Sequence, residues 1–88
     1  MVKVAYIEKA LIIQDYIMLV TFDDGYQVFY NYGKFLGEKW FELCKKDFPN
    51  FFIENGDIYW GDYEGISSRE VYRDGISAKI VMDYARVG

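Results

Sequence analysis

Four places in this chain hold residues that could do chemistry: Asp23-Asp24, Cys44, the stretch Tyr59-Trp60-Gly61-Asp62-Tyr63-Glu64, and Ser67-Ser68. Asp62 and Glu64 could begin a cation site. Calcium takes six to eight oxygens, however, and no third or fourth carboxylate follows at a usable spacing. They are expected to solvate a loop. A carboxylate pair such as Asp23-Asp24 can divide acid and base roles only inside a cleft, which a domain this small rarely encloses. Ser67 stands three residues before Glu70, the spacing of a helix capping box, so it reads as a cap before a nucleophile. Cys44 falls on the apolar side of a helical pattern and reads as a buried structural thiol.

The chain contains no histidine. That removes the usual general base, the serine–histidine and cysteine–histidine nucleophiles, and the commonest zinc ligand. "GDYEG" has neither the spacing nor the lysine of a phosphate loop. The sequence therefore argues for no enzymatic activity, no metal and no cofactor.

The elements that must position these residues belong to one domain, 1–88, because 88 residues rarely form two cores. So short a chain buries only about 60–65% of its unfolded surface and needs large side chains in its core. Nine tyrosines, seven phenylalanines and two tryptophans supply them. One cysteine cannot make an internal disulfide, which fits a reducing cytoplasm. Lys3, Glu8 and Lys9 interrupt any signal-peptide run, and the uncharged stretch 16–22 is far short of a membrane span. A net charge of −4, with no cluster of lysine and arginine, argues against direct nucleic-acid binding.

"VKVAYIE" is β-rich and predicts a first strand at about 2–8. Tyr16, Met18, Val20 and Phe22 then alternate with Ile17, Leu19 and Thr21, and Asp24-Gly25 offers the positive φ of a hairpin turn. Tyr26, Val28 and Tyr30 return on one face, opposite Gln27, Phe29 and Asn31. With both faces apolar, one is expected to pack on helices and the other to be partly covered by a partner.

A connection with one short turn follows, then a helix over "EKWFELCKK" with Trp40, Phe41, Leu43 and Cys44 as its stripe. Asn55-Gly56 marks a second hairpin, and a helix over 68–74 should start at Ser67 and stop at Gly75. Trp60 should be buried beneath that helix. Ile76, Ile80, Tyr84 and Val87 recur at helical spacing, predicting a last helix at 77–86 capped by Ser77. The order β-β-β-α-β-β-α-α gives an α+β domain: a small, mostly antiparallel sheet of two hairpins plus an N-terminal strand, with two or three short helices.

Taken together, "DYIMLVTFDDGYQVFY", "GEKWFELCKKD" and "ENGDIYWGDYEGISSREVY" resemble, in order and register, the small bacterial domain-of-unknown-function family numbered 2442. Phe22, Asp24 and Gly25 match its Phe-x-Asp-Gly, and Phe41 and Leu43 its helix, one residue closer than usual. Gly56 and Trp60 match its Gly-x-x-x-Trp strand, and Val71-Tyr72 its helix end twelve residues after the tryptophan. The match covers about 2–73, leaving 74–88 as an extension. Asp62-Tyr63, Gly65 and Ser68 replace the Asn-Gly, Asp and Pro usual after the tryptophan. The resemblance implies an N-terminal-domain-like α+β fold, no established enzymatic activity, and occasional toxin–antitoxin-like pairing with a small partner.

The surplus of tyrosine is best explained by an interface, since tyrosine buries large area at low entropy cost. Tyr26, Tyr30, Tyr32, Tyr59, Asp62, Tyr63 and Glu64 are the expected partner-binding residues. The expected function is a non-catalytic, cytoplasmic protein-binding or regulatory module, antitoxin-like, which masks a basic protein surface. The alternative is a small phage-encoded inhibitor that blocks a host nucleic-acid-processing or defence complex. The apolar positions of the tail, Ile76, Ile80, Val81, Met82 and Tyr84, spread beyond one helical stripe and predict a homodimer or docking contact through the C-terminal segment.

Overall fold

The computed structural model of the chain describes residues 5–80. Strands β1 (Ile7–Gln14), β2 (Ile17–Phe22), β3 (Gln27–Asn31) and β7 (Ile76–Ser77) form an antiparallel sheet in the order β1-β2-β3-β7. Strands β4 (Phe52–Glu54), β5 (Asp57–Trp60) and β6 (Tyr63–Glu64) form a second, smaller antiparallel sheet. Helices α1 (Lys39–Cys44) and α2 (Ser68–Asp74), with two 3-10 segments at Tyr32–Phe35 and Lys45–Asn50, complete the α+β domain.

The alternation of β2 and β3 does what period two requires. Met18, Val20, Phe22, Val28 and Tyr30 are buried, and Thr21, Gln27 and Asn31 turn outward. The turn between them is a three-residue loop: Gly25 N–H donates to the Phe22 carbonyl, and Phe22 N–H to the Tyr26 carbonyl. Only Gly25 takes a positive φ, +90°. Asp24 instead accepts from Tyr26 N–H at 2.9 Å, the local side-chain bond that makes aspartate a turn residue.

The first strand lies later than its composition predicts. It runs over Ile7–Gln14 rather than 2–8, and residues 1–4 lie outside those described. Its partner dictates the position, since Leu11 and Ile12 pair with Leu19 and Met18. The reversal is a tight turn at Asp15-Tyr16 with no glycine; Asp15 carries φ +46° itself.

Helix α1 buries Phe41 and Cys44, but Leu43 is 54% exposed and does not belong to the stripe. Six residues make fewer than two turns, too few for a wide apolar face. Glu42 accepts from Gly37 N–H at 3.0 Å and pairs with Lys45 at 2.7 Å, which holds its carboxyl below the usual range. Pro49 follows α1 but sits within the second 3-10 segment, which is kinked at Asp47.

Ser67 caps α2 by accepting from Glu70 N–H. The helix ends at Gly75 as predicted, though not through a left-handed residue: φ there is −68°. A side chain at Gly75 would meet Val28 at 2.6 Å, so the glycine lets the chain pass close to β3 and enter β7. Ile76 and Ser77 are thus a strand rather than part of the last helix, and helical residues begin at Ala78. The remainder of the predicted helix, with Val81, Met82 and Tyr84, lies outside the described residues.

Candidate functional site

The tyrosines predicted to bind a partner divide between core and surface. Tyr32 is 0% and Tyr30 2% exposed. Their rings meet edge-on at 4.9 Å, and Tyr32 also touches Phe48 and Trp60. Burial weakens both phenols as acids, raising them above their ordinary value, and among the described residues the Tyr32 hydroxyl has no hydrogen-bond partner. These two rings support a surface from below and do not form one.

Tyr26 is half-buried beside the first hairpin turn. Its ring lies 4.7 Å from that of Tyr72, whose hydroxyl donates to Asp24 at 2.8 Å. That bond pins α2 to the hairpin and raises the Tyr72 phenol above its ordinary value.

The second hairpin gathers the rest. Asn55 and Gly56 carry φ +52° and +81°, the double positive φ of a type I′ turn. A two-residue turn fixes the register of Phe52 with Tyr59, Ile53 with Ile58, and Glu54 with Asp57. Ile58 is buried, so the odd and even positions separate cleanly: Phe52 and Tyr59 share the other face and stack at 5.7 Å with an interplanar angle of 15°. Phe52 is 42% exposed, and Glu54 beside it is exposed as well. Phe52 was not singled out from sequence. Counting outward from Asn55-Gly56 would have found it, because a two-residue turn there sets it opposite Tyr59 in the hairpin.

The stretch after Trp60 is a turn and a third strand rather than an acidic loop. Gly61, at φ +58°, and Asp62 reverse the chain, and Tyr63-Glu64 pair with Trp60 and Tyr59. Asp62 and Tyr63 are exposed. The register sets Tyr63 beside Trp60 and Glu64 beside Tyr59, so Tyr59 and Tyr63 belong to opposite faces of the small sheet.

Trp60 itself is 2% exposed, as predicted. Its ring stacks on Phe48 at 5.3 Å, and its indole N–H donates to the Phe48 carbonyl at 2.9 Å. A side chain on Gly65 would meet the ring at 2.5 Å. Its aromatic partners thus come from the 3-10 segments, Phe48 and Tyr32, rather than from α2, whose Tyr72 packs on Phe22 and Tyr26. Asp57 ties α2 to β5 by accepting from Ser68 N–H at 2.8 Å.

Cys44 is buried, and desolvation raises its thiol above its ordinary value, away from nucleophilic use. Among the described residues no three histidine, cysteine, aspartate or glutamate side chains gather as metal ligands, and no helix is long and apolar enough to cross a membrane. Comparison of the chain with family models, with curated proteins and with solved structures finds no match.

Proposed function

We propose that the protein is a non-catalytic binding module of the cytoplasm, antitoxin-like or regulatory, that recognises another protein through the outward face of its small sheet. The observation that carries this reading is the Phe52–Tyr59 stack, standing outward beside Glu54. Stacked aromatics give large, preordered contact area, and neighbouring carboxylates favour a partner that presents arginine or lysine. Asp62 and Tyr63 extend the contact around the edge of the sheet. Membership of the domain family that the motif order resembles belongs to the same proposal.

The test is affinity capture from a host extract, with the wild-type chain and a Phe52→Ala/Tyr59→Ala double variant run side by side. The reading expects a basic protein held by the wild type, released as salt rises, and held at least about tenfold less tightly by the folded variant. Equal retention by the two chains overturns it.

A further inference from the structure

The outward face of the four-stranded sheet carries an apolar row that crosses every strand. Leu11 pairs with Leu19, Leu19 with Phe29, and Phe29 with Ile76. Leu11 is 61% and Ile76 60% exposed, and Leu19 and Phe29 between them are half-buried. On one side lies a polar row of Lys9, Thr21 and Gln27, with Gln27 donating to the Thr21 hydroxyl at 3.0 Å. On the other side Gln14 and Asn31 flank Ile17. The inward residues of the same strands fill the core, and the molecule is only 18 Å deep in its thinnest direction. That depth holds two layers at roughly 10 Å spacing, so among the described residues no third layer covers the row.

We propose that this face binds a second copy of the chain, row against row, about a twofold axis running along the strands. The row is its own complement under that operation. Leu11 of one copy lies over Ile76 of the other, and Leu19 over Phe29, so each apolar position meets an apolar position. Charge selects the same face. Two chains of net charge −4 repel through most of their surface. Among the described residues lining the row the one carboxylate is Asp74, which pairs with Arg73 at 2.9 Å, and Lys34 and Lys9 also line it. Repulsion between copies is therefore weak at this face.

Size sets the strength. Strands about 4.8 Å apart and roughly six residues long make a face of about 400 Å² in projection. A stable complex takes about 800 Å² from each partner. The dimer is accordingly weak and concentration-dependent. This surface is distinct from the Phe52–Tyr59 face, so loss of either function leaves the other intact.

Sedimentation of the full chain from about 10 μM to 1 mM tests the proposal, with Leu11→Lys, Ile76→Glu and Phe52→Ala/Tyr59→Ala alongside. Both single positions are exposed, so the variants keep their fold, checked by circular dichroism and an unchanged thermal midpoint. The wild type and the double variant should move toward twice the chain mass over this range. Each charged variant alone should associate about tenfold or more weakly. An equimolar mixture of Leu11→Lys with Ile76→Glu should regain association, because the twofold sets the new lysine of one chain over the new glutamate of the other. A wild type that stays monomeric to 1 mM overturns the proposal and leaves the face to a different protein. Charged variants that dimerise like the wild type, or a mixture that stays monomeric, overturn it too.

Discussion

The hairpin of β2 and β3 buries Met18, Val20, Phe22, Val28 and Tyr30, and it has strands on both flanks, β1 and β7. The hairpin of β4 and β5 buries Ile58 and Trp60 and has a two-residue strand on one flank. An isolated hairpin is marginal in water, and the first escapes that limit by area. The second has little area, and it depends on anchors: the Trp60 indole on the Phe48 carbonyl, Asp57 on Ser68, and the Ile7 N–H donating to the Gly56 carbonyl at 2.9 Å. A sheet can thus be held by its own breadth or by a few bonds to its surroundings. The surface proposed to contact another protein stands on the second kind.

Removing the anchor should have the largest effect. Trp60→Ala is expected to cost about 3–5 kcal/mol, as truncation of buried aromatics does. Trp60→Phe keeps a ring against Phe48 but leaves its carbonyl unpaired, and should cost about 1–3 kcal/mol. Urea midpoints measure both. If Trp60→Ala were as mild as an ordinary surface change, the second hairpin would not rest on its anchor.

The two turn glycines sharpen the contrast. Both have positive φ, +90° at Gly25 and +81° at Gly56. A side chain at Gly25 meets open space, whereas one at Gly56 would collide with the ring of Tyr6. Gly25→Ala should cost about 1–2 kcal/mol of backbone strain alone. Gly56→Ala should add about 1–3 kcal/mol of overpacking. Equal midpoints for the two variants would remove the distinction.

The smallest effect concerns Tyr32, where the layers beneath the two hairpins meet. Its buried hydroxyl lacks a partner among the described residues, so Tyr32→Phe should leave stability unchanged or raise it by about 1 kcal/mol. Burial also raises its phenol above the ordinary value of 10.0. A group whose acidity is weakened by folding contributes its full stability below its unfolded value and loses it as pH climbs through the folded one. Tyr30 and Tyr72 shift in the same direction. Unfolding free energy should therefore stay level with respect to these phenols up to about pH 10 and fall above it, less steeply in Tyr32→Phe. A midpoint lowered by more than about 1 kcal/mol in that variant would mean the hydroxyl has a partner after all.

How much of this was legible in the sequence follows the same physical divide. Local signals held: strict alternation around Asp24-Gly25, the two-residue turn at Asn55-Gly56, and the Ser67 cap. Elements that exist only because a distant strand receives them did not. The later half of β1 reads as ordinary mixed sequence and ends in a turn without glycine, and β7 is two residues long and is created by pairing with β3. The tyrosines show the limit for the site. Composition says that many rings are present, but only the fold decides that Tyr30 and Tyr32 go inward while Phe52 and Tyr59 stack on the surface. The apolar row from Leu11 to Ile76 needed the register of four strands before it could be seen.

The closing of the first sheet by β7 has a consequence for the moment of synthesis. The hydroxyl of Tyr72 reaches back across 48 residues to Asp24, and Ile76 reaches back similarly to Phe29. At about 5–20 residues per second, a ribosome takes roughly 2–10 s to add that length. The β2–β3 hairpin, by contrast, can form within about 1–10 μs of its emergence. For nearly a million times its own assembly time, the nascent chain therefore displays β3 as an open edge, able to pair with any extended segment nearby. Translation speed through the latter half of the message, rather than the strength of any bond in the finished fold, then sets how long the growing protein is exposed to misassembly.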